Sequence, residues 1–87
     1  MQAQAIRDTI EKTLQGKTYG IPMPAGFDPQ ASLLAAGIID SFGLFSFIQE
    51  LQSIFGIVVE DWEIHPGNFE TIDSIVTFIK DKNPQDT

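Results

Sequence analysis

The chain has 87 residues, 12 of them acidic and 5 basic, for a formal charge of −7. That length allows one domain with one modest core and leaves little room for a deep catalytic cavity. The charge disfavours nucleic acid and anionic lipid, which need Lys and Arg against their phosphates, and the absence of cysteine removes thiol catalysis and cysteine-ligated metal.

From Gln2 to Gln15 the pattern is helical, with Ile6, Ile10 and Leu14 on one stripe, Ala3 beside it, and charged residues on the other faces. Gly16 is the expected stop. Residues 16–27 hold three glycines and two prolines, too many breakers for helix or strand. This is a loop, long for so small a domain, and Tyr19, Ile21, Met23 and Phe27 are expected to pin it across the bundle. Asp28-Pro29 reads as an N-cap followed by proline at the first helical position, opening a short helix through Ala36 with Leu33 and Leu34 turned inward. Gly37 ends it.

The second main helix is predicted from Ser41 to Phe55, headed by Asp40 or Ser41 as cap. Leu44, Phe47, Ile48, Leu51, Ile54 and Phe55 form its apolar face. Phe42 and Phe45 fall off that face, onto the polar side. Either the long loop folds over them or they form an apolar contact patch beside Ser41. Residues 56–60 are too isolated for a strand and are read as a connection with Ile57 and Val59 tucked under the bundle. Glu60, Asp61 and Glu63 belong to a brief, solvated acidic turn with Trp62, broken by His65-Pro66-Gly67. Phe69 anchors the next link. Thr71 caps a last helix in which Ile72, Ile75, Val76 and Ile79 recur at helical spacing, with Asp73 near its start and Lys80 and Lys82 near its end. The sum is a small all-α four-helix bundle, three main helices plus a short third, with a long first loop. It occupies residues 1–87 as one domain, its last residues, 84–87, fraying.

Catalytic and metal chemistry find little support. Ser41 has no Gly-x-Ser-x-Gly elbow, and the only base available to it is the single histidine, His65. Zinc and calcium spacings are missing, as is a phosphate-cradling glycine loop. Glu60, Asp61 and Glu63 could pair as acids only if a cleft enclosed them. No apolar run approaches the ~20 residues that span a bilayer, and Met1 to Asp8 lacks a signal-peptide pattern, so a cytoplasmic protein without a membrane span is expected.

Leu34-Ala35-Ala36-Gly37-Ile38-Ile39-Asp40-Ser41-Phe42, the apolar helix closing on Phe55-Gly56-Ile57, and Phe69-Glu70-Thr71-Ile72 together resemble the acyl carrier protein family. The resemblance covers roughly residues 30 to 80 and extends to helix order and the long first loop. It implies a covalent 4′-phosphopantetheine arm on Ser41, whose thiol holds acyl or aminoacyl cargo as a thioester. Asp40 would help position the modifying phosphopantetheinyl transferase and its metal. Phe42 stands where the family has a hydrophobic docking residue, and Phe45, Glu50 and Trp62 complete the expected docking set. The other implied partners are an acyl- or aminoacyl-activating ligase and downstream acyl-processing enzymes, met by a monomer that is not itself an enzyme. Fatty-acid carriers tend to have a strongly acidic second helix, whereas here Glu50 is the only charged residue between Ser41 and Phe55. Gly-Ile-Ile-Asp-Ser-Phe-Gly is similar to specialised standalone carriers, including aminoacyl carriers of the D-alanine type. The alternative is an unmodified helical interaction module that uses Phe42 and Phe45 as a permanent interface.

Overall fold

A computed structural model describes residues 2–82. It contains α1 (Ala3–Gly16), α2 (Ser41–Phe55), α3 (Pro66–Phe69) and α4 (Ile72–Lys82), with a single 3-10 turn at Asp61–Glu63 between α2 and α3. The expected helical bundle and long first loop are both present. The expected fraying of 84–87 lies outside the described residues.

The three long helices sit where the apolar spacing placed them. Ile6, Ile10 and Leu14 of α1 and Ile72, Ile75, Val76 and Ile79 of α4 are all buried, and the two helices pack together. Arg7 of α1 pairs with Asp73 of α4 across the seam. Both partners are about one-third exposed, so the pair orients more than it stabilises. Thr71 caps α4 as expected, its Oγ1 accepting from Ser74 N–H at 2.9 Å. Phe78, which lies off the predicted α4 stripe, is also buried, 5.1 Å from Phe69 between ring centroids.

The segment 28–36 is not the short helix its Asp-Pro start suggested. It runs as successive turns. Local side chains take the early donors: Gln30 N–H bonds to Asp28 Oδ1 and Ala35 N–H to Ser32 Oγ. Leu33 N–H reaches instead to Glu70 C=O at 2.7 Å, and Leu33 C=O accepts from both Ile38 and Ile39. The long-range bond to Glu70 and the wide local turn onto Leu33 C=O take the backbone out of a helical ladder, with Leu33 fully buried. Pro66, expected to break structure, is instead the first residue of α3, where its missing N–H costs nothing. Ile21 and Ile54, both assigned to the interior, are 54% and 42% exposed. Ile57 and Val59 are buried as expected, held by the bond from Val59 N–H to Gln52 Oε1.

The acidic turn is not fully solvated. Glu63 is buried, and its carboxylate accepts from Lys82 Nζ at 2.6 Å and from Glu60 N–H at 2.8 Å. The Lys82 bond and then the Glu60 bond hold its carboxyl below the usual carboxylate range. A carboxyl so depressed contributes stability above its unfolded pKa and loses it as pH falls through the folded value. The stability gap between the native chain and Glu63→Gln is therefore expected to be widest at neutral pH and to close on acidification. Urea unfolding at both conditions measures it.

The first loop is laid against the head of α2. Tyr19 pairs with Ile39 in an isolated parallel bridge, Asp40 N–H donates to Tyr19 C=O at 3.0 Å, and Ile21 N–H donates to Gly37 C=O at 2.8 Å. A Cβ on Gly43 would sit 1.7 Å from the Tyr19 carbonyl oxygen. Helix propensity alone makes Gly43→Ala stabilising by about 1 kcal/mol. The contact with rigid backbone reverses the sign: the expected result in urea unfolding is a loss of about 1–3 kcal/mol.

Candidate functional site

The sequence left two residues able to cap α2, and the structure decides between them. Asp40 has extended backbone and its Oδ1 accepts from Gly43 N–H at 2.6 Å. Ser41 is the first helical residue. Its side chain is exposed, and its hydroxyl has no hydrogen-bond partner among the described residues. It stands at the positive end of a 15-residue helix, close to backbone N–H groups of the first turn.

Phe42 is 89% exposed and Phe45 60% exposed. The loop does not fold over them. Their i, i+3 spacing puts both rings on one side of the helix, beside Ser41. Phe47, on the opposite side, is fully buried and meets Tyr19 edge-on at 5.1 Å between centroids.

Between the backbone of residues 17–20 and the first turns of α2 lies an open groove of about 280 Å³, with Asp40, Phe42 and Ser46 on its helical side. The Tyr19 side chain is buried and its hydroxyl has no hydrogen-bond partner among the described residues. Burial, and then the charge of Glu50, raise the phenol above its ordinary range, so it remains protonated. Glu50 faces Lys17 at 3.8 Å, a loose and exposed pair.

The chain is 33% identical over 55 residues to "Probable acyl carrier protein PigG" of Serratia sp. (strain ATCC 39006). The match agrees with the acyl carrier protein resemblance carried by the Asp-Ser-Phe stretch. It spans 63% of this chain and 63% of the Serratia protein's length. No family model matches the chain.

The structure gathers some of the expected site residues and separates others. Asp40, Ser41, Phe42 and Phe45 cluster at the head of α2. Glu50 lies farther along the helix, drawn to Lys17. Trp62 is 77% exposed in the 3-10 turn and borders a different concavity of about 330 Å³ with Glu63, His65 and Phe78. His65 lines that second concavity, not the groove beside Ser41. No cluster of His, Asp or Glu among the described residues could hold a metal, and no helix among them is long and apolar enough to cross a membrane.

The sequence reading overlooked Gly43, Ser46 and Lys17. A glycine two positions after the serine was the available signal for Gly43. Ser46 and Lys17 gain meaning only once the loop is seen lying along α2.

Because Phe42 and Phe45 contribute little to the core, Phe42→Ala and Phe45→Ala are each expected to change stability by no more than about 0.5 kcal/mol. Phe47→Ala should lower it by about 3–5 kcal/mol. Urea denaturation of the three variants compares them directly.

Proposed function

We propose that this protein is a discrete carrier, modified at Ser41 with 4′-phosphopantetheine, that presents acyl or aminoacyl cargo to partner enzymes and performs no chemistry itself. The observation that carries the reading is the division of labour at the head of α2. Asp40 satisfies the cap, which leaves the Ser41 hydroxyl exposed and without a partner among the described residues. A serine that capped its own helix would have to surrender that bond before it could be modified.

The residues present fit such a group. In the transfer, Ser41 Oγ would bond the phosphorus of the donor's arm as the donor's phosphoanhydride P–O bond breaks and its phosphorylated nucleotide departs, the hydroxyl proton passing to the modifying transferase. The resulting phosphodiester anion would lie at the positive end of α2, near first-turn N–H groups. The arm supplies a terminal thiol for thioester formation, a group this cysteine-free chain lacks. The absence of cysteine also suits a reducing, cytoplasmic setting. Asp40 retains its Oδ2 for the modifying transferase and the metal that enzyme carries. A tethered cargo reaches partner sites at high effective concentration without tight docking.

Partner recognition falls to Phe42 and Phe45 beside the attachment point. Lys17 offsets the one charge on α2 at Glu50, so apolar contact outweighs ion pairing there. Trp62 offers a separate contact on the 3-10 turn. The partners of this reading are a phosphopantetheinyl transferase, an activating ligase for a carboxylic or amino acid, and downstream acyl-processing enzymes, each met by a monomer.

Co-expression with a broad-specificity phosphopantetheinyl transferase is expected to add the mass of one arm to the intact protein, and Ser41→Ala to abolish the addition. An unmodified native chain under those conditions would overturn the reading.

A further inference from the structure

The groove beside α2 begins at the proposed attachment point, since Asp40 and Phe42, the two neighbours of Ser41, both line it. Its floor is the contact between Gly43 and the Tyr19 carbonyl, where even one methyl group would not fit. Its lining mixes hydrogen-bonding and apolar residues: Thr18, Asp40 and Ser46 together with Phe42, Tyr19 and Lys17. Thr9 and Thr13 in α1 turn their hydroxyls back onto the carbonyl one turn earlier. Ser46, equally helical, has no such bond, and neither its hydroxyl nor that of Thr18 has a partner among the described residues. Ser46 lies five residues from Ser41, about 7.5 Å along the helix at ~1.5 Å per residue.

We propose that this groove receives the arm carried at Ser41, holding it along α2 between visits to partners. The inference rests on the carrier reading and deepens it. Outward from its phosphate the arm presents a dimethyl-substituted carbon, then a hydroxyl and two amides, a succession of apolar and polar character that the groove lining also offers. Phe42 is then both a wall of the groove and the residue nearest the attachment point that a partner would grip. Engagement of Phe42 by a partner competes with retention of the arm, so docking and arm release are coupled through one side chain.

The test compares amide NMR spectra of the 15N-labelled native chain before and after arm installation, with intact mass confirming the addition. Resonances of Thr18, Tyr19, Gly20 and Ser46 are expected to move more than any α4 amide, alongside the shifts at Asp40 to Gly43 that attachment itself produces. Ser46→Leu keeps an exposed position on the helix, fills the groove and removes its hydroxyl. In that variant the mass addition should persist and the shifts at Thr18 to Gly20 should vanish. Arm addition with shifts confined to residues 40–43 overturns this inference and leaves the carrier reading intact. Shifts at Thr18 to Gly20 that persist unchanged in Ser46→Leu also overturn it. Failure of the native chain to take up the arm overturns the carrier reading, and this inference with it.

Discussion

The bond from Asp40 N–H to the Tyr19 carbonyl is the constraint on which the head of α2 depends. It ties a breaker-rich loop to the residue that starts the helix, and it works only because residue 43 has no Cβ to push the loop away. With its backbone held extended, Asp40 is placed to cap the helix with its side chain. Ser41 is thereby freed from capping and projects to solvent. Tyr19 and Ile39, paired in the bridge at this junction, are both buried, so the exposed serine rests on core packing directly beneath it.

Charge is handled locally in a chain whose formal total is −7. Three basic residues, Arg7, Lys17 and Lys82, pair with Asp73, Glu50 and Glu63. Each pair joins segments far apart in the sequence. The Glu63–Lys82 pair is the most sheltered, with Lys82 also lying over the Phe78 ring, and it fixes the 3-10 turn against the end of α4. The outer side of α2 is left with exposed aromatic rings and uncharged polar groups. Such a surface favours contacts that tolerate salt.

Much of this arrangement was legible in the sequence wherever one periodic signal acted alone. α1, α2 and α4 each carry an apolar stripe several turns long, and each formed as that stripe required. Residues 28–36 misled because Asp-Pro is a local helix signal, whereas the deciding bond is from Leu33 to Glu70, which no local pattern encodes. Glu63 misled for a similar reason. A run of acids reads as solvated until the lysine that covers one of them arrives from nineteen residues farther on. Ile54 marks the limit of the stripe argument, since a residue on the correct side of a helix is buried only where something packs against it. For the candidate site, Asp40, Ser41 and the off-face rings could be read directly. Which of Asp40 and Ser41 capped the helix could not, because either side chain can accept the same bond. The groove was invisible because its two walls are twenty or more residues apart and are joined by the Asp40–Tyr19 bond and the Tyr19–Gly43 approach, which no local pattern encodes.

The seam between α1 and α4 has a consequence for how the chain is made. The apolar stripe of the first helix packs against the last one, and Arg7 meets a partner 66 residues later. During translation, Ile6, Ile10 and Leu14 are made well before the α4 surface they pack against. Through that interval the nascent chain carries a sticky, half-made core, the kind of surface that chaperones hold and that drives premature association between neighbouring chains.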